Sequence, residues 1–243
     1  MLLTLIGALL GLPGGFAIDT LSARLALEWY DSPDDGHGDE RGGSDARDGD
    51  AADERVRPRT IPFALREGAP YRRLVVVALT VALFGAVWHL YGDRPWQAVI
   101  ASAYAGVLIT CTATDFMARR IANIVTYPAI LGALAVGMLA PGADRIDVLL
   151  GALLGGGVLF AFALLPGNGI GDAKLGLFMG LALGAAYTAS ALVIMALSGG
   201  AVAFGILAAS RLRARRAAIP YGPYIALGTM AVMLLRGTAF HTI

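Results

Sequence analysis

The sequence is short of the residues from which a soluble active centre is most easily built. A single cysteine, Cys111, excludes an intramolecular disulfide and any centre ligated by several thiolates. Three histidines, His37, His89 and His241, lie scattered without metal-ligand spacing, so no metal site is expected. Lysine occurs once, at Lys174. Charged residues make up only 15% of the 243 positions, against 57% hydrophobic ones, and the mean hydropathy is +0.67. That balance excludes a soluble globular enzyme. Nineteen basic against 18 acidic residues leave a net charge of +1, so the charge gives no reason to expect a nucleic-acid partner.

What is abundant is uncharged chain. Crossing a hydrocarbon core of about 30 Å takes about 20 mostly apolar helical residues. Seven stretches lack Asp, Glu, Lys and Arg: Met1–Ile18, Leu74–Gly92, Pro95–Thr114, Ile121–Ala143, Val148–Gly171, Leu175–Ser210 and Ala217–Leu235. The sixth is 36 residues long and reads as two helices with a turn near Gly184–Tyr187. The expected fold is therefore all-α, a polytopic membrane protein of about eight transmembrane helices. No basic residue precedes the first stretch and no cleavage-site pattern follows it, so residues 1–18 read as a retained first helix.

Basic residues in short loops mark the cytoplasmic side. With eight spans and an external N-terminus, 16 of the 19 fall inside, and only Arg94, Arg145 and Arg236 fall outside. Residues 19–73 then form a cytoplasmic loop without zinc-ligand cysteines. Its middle, Asp31–Arg59, is too rich in Asp, Gly and Arg to bury apolar surface. Residues 74–243 form the transmembrane core.

Thirteen of the 18 acidic residues lie between Asp19 and Glu67 and read as solvated loop charges. Asp93, Asp144 and Asp147 fall in short connections on the outer side. Asp115 and Asp172 remain, each set against a long apolar run at the cytoplasmic end of a span. One outgoing and one returning helix separate them, so 57 residues of chain can close into a contact. Two carboxyls beside a low-dielectric layer cannot both ionise easily; one holds a proton while the other is charged, which supplies an acid and a base together. That is the chemistry by which paired aspartates activate water against an amide. Each has a plainer reading. Asp115 can end a helix and pair with Arg119, and Asp172 can be a helix N-cap.

The second aspartate lies in Pro166-Gly-Asn-Gly-Ile-Gly-Asp-Ala-Lys174, where Gly167, Gly169 and Gly171 permit close backbone approach and an unwound segment able to hold an extended peptide. Three segments together resemble the type IV prepilin peptidases, membrane aspartic proteases of the G-x-G-D class. They are Asp115-Phe-Met-Ala-Arg-Arg-Ile-Ala-Asn123, Gly169-Ile-Gly-Asp-Ala-Lys-Leu175 and Ile219-Pro-Tyr-Gly-Pro-Tyr-Ile-Ala-Leu-Gly228. The first is similar to the family's Asp followed by R-x-I-P-N, with Ala122 in place of the proline. The resemblance covers roughly Pro95–Arg236.

The resemblance implies a hydrolase of the bacterial cytoplasmic membrane with its active site facing the cytoplasm. Asp115 and Asp172 would be the catalytic pair, acting on the short leader of type IV prepilin or pseudopilin precursors. Asn123, Gly169, Gly171, Lys174, Pro220, Gly222 and Pro223 would shape the site. Proteolysis of this kind takes no cofactor. Many members also methylate the new N-terminus with S-adenosylmethionine and carry paired Cys-x-x-Cys motifs in the first loop; residues 19–73 have no cysteine, so methylation is not implied here. Arg119, Arg120 and Arg211–Arg216 can meet the substrate leader or anionic membrane lipid. A proton-carrying transporter or a non-proteolytic pilus-assembly scaffold would use the same carboxylates differently. The oligomeric state is left open by the sequence.

Overall fold

The computed structural model describes residues 1–31, 70–164, 169–209, 220–239 and 241–242. Eight helices follow one another: α1 (Leu2–Asp31), α2 (Pro70–Tyr91), α3 (Pro95–Ala118), α4 (Asn123–Leu139), α5 (Arg145–Ala163), α6 (Ile170–Leu183), α7 (Ala185–Ala209) and α8 (Gly222–Leu235). A two-residue antiparallel hairpin, β1 (Gly237–Thr238) with β2 (His241–Thr242), follows α8. Its Ala239 N–H reaches the Ala182 carbonyl at the end of α6.

The boundaries have local causes. Pro95 starts α3, since its missing N–H would be unpaired there in any case. Asp144 caps α5, accepting from the N–H groups of Ile146 and Asp147 at 2.9 and 3.4 Å. Within the long sixth stretch, Gly184 at φ 76° ends α6, and α7 begins at Ala185, inside the expected turn. Asp147, assigned above only to an outer connection, reaches across to accept from the Ala185 N–H at 3.1 Å and so caps α7 from another helix.

The expectation of about eight spans is met in part and one boundary is corrected. Among the described residues there are eight helices, of which five are long and apolar enough to cross a membrane: Leu2–Leu27, Tyr71–Tyr91, Pro95–Ala118, Arg145–Ala163 and Ala185–Ile206. At 1.5 Å per residue, the 14 residues of α6 and of α8 each reach only about 21 Å, and the 17 of α4 about 26 Å. Secondly, α1 does not stop at Ile18. It continues to Asp31, because Asp19 meets partners that keep it inside the protein. Asp19 is 1% exposed and accepts from Arg72 Nε at 2.8 Å and Arg73 Nε at 3.3 Å, so it is not a solvated loop charge. The segment Asp31–Arg59 expected to be unstructured falls, from residue 32 onward, outside the described residues.

Glycines at four-residue steps set how the helices meet. Along α1, Gly7, Gly11 and Gly15 face Phe84–Trp88, Val81 and Val77 of α2 in turn, an antiparallel crossing so close that a Cβ on any of the three would overlap its neighbour. Between α5 and α6, Gly151 faces Gly180 and Gly155 faces Gly176, backbone against backbone. Helices α3, α6 and α8 carry much of the buried interior, and a T-shaped contact of Tyr104 with Phe178, centroids 5.3 Å apart, ties α3 to α6.

Candidate active site

Asp115 lies in the last turn of α3 and is 6% exposed. The chain behind it stops abruptly: Arg119 takes the left-handed conformation at φ 52° and ψ 34°, and its N–H closes on the Asp115 carbonyl at 2.8 Å. A non-glycine residue in that region is strained, so the exit from α3 is held by its surroundings. Arg119 thus joins Asp115 through the backbone rather than as a helix-surface ion pair.

The Asp115 side chain points to the start of α8. Its Oδ2 accepts the Gly222 N–H at 2.9 Å. Tyr224 and Ile225 donate their own N–H groups to the Tyr221 carbonyl at 3.0 and 3.2 Å, and Pro223 has none to donate. Gly222 therefore holds the one unpaired donor of this helix start, and Asp115 takes it. The positive end of α8 favours negative charge on that oxygen. A Cβ on Gly222 would stand 2.7 Å from Oδ2, which makes glycine a requirement of the contact.

Asp172 lies in the first turn of α6. It is not the N-cap, a position held by Gly169, and its carboxyl has no hydrogen-bond partner among the described residues. It lines a small cavity of about 30 Å³ with Leu159, Phe162, Ala163, Met195 and Tyr221, enough for a water molecule but little more. Tyr221 immediately precedes Gly222, so one peptide step separates the wall of the Asp172 cavity from the donor to Asp115. Burial and, after it, the negative charge of Asp115 push the Asp172 carboxyl up to about 6 from its ordinary value of 3.8.

The other motif residues brace this pair. Lys174 Nζ donates to Asn123 Oδ1 at 2.8 Å and sits 4.7 Å from the centroid of the Tyr127 ring, linking the first turns of α6 and α4. Gly171 packs against Ile121, where a Cβ would come within 3.2 Å. Its value is close approach, not left-handed freedom. Gly169 is extended at φ −102°, and Ile170 is already helical, so the unwound stretch does not include Gly171 or Asp172. Pro166, Gly167 and Asn168 lie outside the described residues, as do Arg211–Arg216 and Ile219. Pro223 falls in the first turn of α8, a position that tolerates proline, and Pro220 just before it is half-buried. All three segments singled out in the sequence thus meet at one end of the bundle. Tyr221 was not among them as a site residue, although the two prolines flanking Tyr221-Gly222 mark an interrupted helix start. Among the described residues no group of three or more His, Cys, Asp or Glu could hold a metal ion.

The fold and this site define a polytopic helical integral membrane protein with two carboxyls gathered where α3, α6 and α8 meet. Residues 102–204 match the type IV leader peptidase family, which takes in Asp115, Asn123 and the Gly169–Lys174 segment. The likeness seen in the motifs therefore extends over a continuous stretch of chain. Two relatives, each a prepilin leader peptidase/N-methyltransferase of Aeromonas salmonicida, one of them from strain A449, are 28% identical over 169 residues. The match takes in 67% of this chain and 58% of each relative, so the chain spans little more than half the length of these relatives. No solved structure matches the chain significantly.

Proposed function

We propose that this protein is an aspartyl endopeptidase that removes the short leader of type IV prepilin or pseudopilin precursors. The observation that carries the reading is the meeting of Asp115 and Asp172 on the two sides of the Tyr221-Gly222 step. Asp115, with an N–H and a helix start on its oxygen, is the charged member and takes a proton from water. The water oxygen attacks the carbonyl carbon of the scissile amide, while Asp172 gives its proton to the carbonyl oxygen. Collapse of the tetrahedral diol breaks the C–N bond: the proton gained by Asp115 passes to the departing amine, and one diol hydroxyl returns its proton to Asp172 as the new carboxyl forms, restoring both carboxyls to their starting states.

The site end of the bundle faces the cytoplasm in this proposal, with the N-terminus outside. A precursor's apolar helix then stays in lipid while its polar cleavage site reaches the carboxyls. N-methylation is not part of the proposal. Residues 19–73 carry no cysteine, so the paired Cys-x-x-Cys motifs that many methylating members have in the first loop are not present there.

The test is cleavage of a prepilin in membranes holding Asp115→Asn or Asp172→Asn. Each variant should accumulate in the membrane at normal level and leave the precursor uncut, a loss of at least about a thousandfold by analogy with removal of other acid–base groups. Normal processing by either variant would exclude the two-carboxyl mechanism, and proton-coupled uptake without cleavage would favour a transporter.

A further inference from the structure

Among the described residues Arg119 is the one non-glycine residue with a positive φ. At φ 52° and ψ 34° it carries its Cβ in a backbone region that glycine occupies without strain. The chain reversals at Gly142 and Gly184, with φ 85° and 76°, do use glycine. The turn after α3 therefore gains nothing from a side chain at position 119, and the strain there calls for a use of the side chain outside the turn.

That side chain is free to act. Arg119 is exposed, and its guanidinium has no hydrogen bond or ion pair among the described residues. Five N–H donors in a planar fork are left for a ligand. Lys174, the nearby cation of α6, is already committed to Asn123 and to the Tyr127 ring. The Arg119 N–H closes on the Asp115 carbonyl at 2.8 Å, which roots the guanidinium one helical turn from the carboxyl, and its charge acts on Asp115. Arg120, its exposed neighbour, is not held in the left-handed region.

Hydrolysis creates a need for such a cation. Cleavage leaves a carboxylic acid on the leader and an amine on the mature chain. Their ordinary pKa values are about 3.5 and about 8, so the proton passes from acid to amine and a new carboxylate stands beside the charged Asp115. Two anions so close to a low-dielectric layer repel each other strongly. We infer that Arg119 is a product-binding residue, whose guanidinium takes the two oxygens of the leader's new C-terminal carboxylate and balances its charge until the leader departs. The inference deepens the peptidase reading and rests on it.

The test is competition by a synthetic leader peptide, ending at the cleavage site, against prepilin cleavage by the full-length protein in a neutral detergent. The peptide is made with a C-terminal carboxylate and with a carboxamide, which has a similar shape and no charge. The unaltered protein should be inhibited at least tenfold more strongly by the carboxylate. Arg119→Gly should bring the two inhibition constants within twofold, while its thermal midpoint holds or rises because glycine relieves the left-handed strain. Arg119→Asn, also tolerant of that region, should lose the preference too, whereas Arg119→Lys should keep part of it and Arg120→Gln all of it. Direct binding of the two peptides, fluorescently labelled, gives the same comparison for a variant that cleaves slowly. Equal inhibition by the two peptides in the unaltered protein, or a preference that survives Arg119→Gly, would overturn the assignment. So would a preference abolished by phosphatidylglycerol added to the micelle, which would give Arg119 to a lipid phosphate. No cleavage at all by the unaltered protein would remove the peptidase reading, and this inference with it.

Discussion

Asp172 is placed where it costs stability. Its folded carboxyl titrates near 6 rather than 3.8, so the folded chain holds this proton more tightly than the unfolded one does. The stabilising effect of that proton is complete below pH 4 and is lost as pH rises through 6. At pH 7 the folded protein therefore carries a penalty of up to about 3 kcal/mol, from about two units at 1.36 kcal/mol each. Asp172→Asn should raise the thermal midpoint in detergent at pH 7, and the gain should shrink toward zero by pH 4. An unchanged midpoint at both pH values would mean the carboxyl is not perturbed. With Asp172 as the proton donor, kcat/KM should fall on the alkaline side with an apparent pKa of about 6 for the pair. Lys174 has a different task. Its bond to Asn123 and its seat over Tyr127 fix the turn that carries Asp172. Lys174→Met removes both contacts and should lower kcat about tenfold while the Asp172→Asn stability gain persists, since Lys174 acts by position rather than by chemistry.

At the scale of elements, one spacing is used twice. In α1 the series Gly7, Gly11, Gly15 continues by the same step to Asp19, and in α6 the series Gly180, Gly176 continues backwards by the same step to Asp172. Each aspartate lies on the line along which its helix is pressed against a neighbour, which explains why Asp19 is buried and Asp172 half-buried. Gly180→Val places a side chain into the Gly151 backbone and should separate α5 from α6, costing more than about 3 kcal/mol and abolishing cleavage. Gly157→Ala, in the same α5 but with open space around it, should be neutral or stabilise by up to about 1 kcal/mol. Equal effects of the two substitutions, measured as midpoints in one detergent, would dismiss the spacing as the cause. The positions of the two carboxyls and the break at Gly184 were legible in the sequence, because each is a chemical exception within apolar chain, whereas Lys174 and Asn123 were named through the family resemblance alone and their bond to each other had no sequence signal. Asp19 was not. Counting charge-free residues ended the first helix at Ile18, since an ion cluster with Arg72 and Arg73 leaves no local sign that a charge continues a helix. The four-residue glycine series ending on Asp19 was the signal that pointed to it. The number of helices was legible in the hydropathy, but their lengths were not: hydropathy extends through loops and short helices, whereas length depends on where backbone hydrogen bonding stops.

Taken whole, the molecule alternates, and the alternation fixes what each end can do. Helix α2 runs against α1, the short turn Tyr91–Pro95 returns α3 against α2, and α5 and α6 oppose each other. The end of α3, the start of α4, the end of α5 and the starts of α6 and α8 then share one face, which holds Asp115, Asn123, Asp172 and Gly222. Asp93 and the Asp144–Asp147 caps occupy the other. A bilayer across this arrangement allows two orientations, and the proposed one puts Arg119, Arg120 and Lys174, which are on the carboxyl face, on the cytoplasmic side. The native Cys111 is fully buried, so a new surface cysteine can be read against a quiet background. Asp93→Cys and Arg120→Cys both replace exposed residues at opposite ends. In intact cells a membrane-impermeant maleimide should label Cys at position 93 and leave position 120 unlabelled until the membrane is opened. The reverse pattern would put the carboxyl pair on the outer surface, where a leader still attached to its cytoplasmic precursor could not reach it, and cleavage would have to follow export.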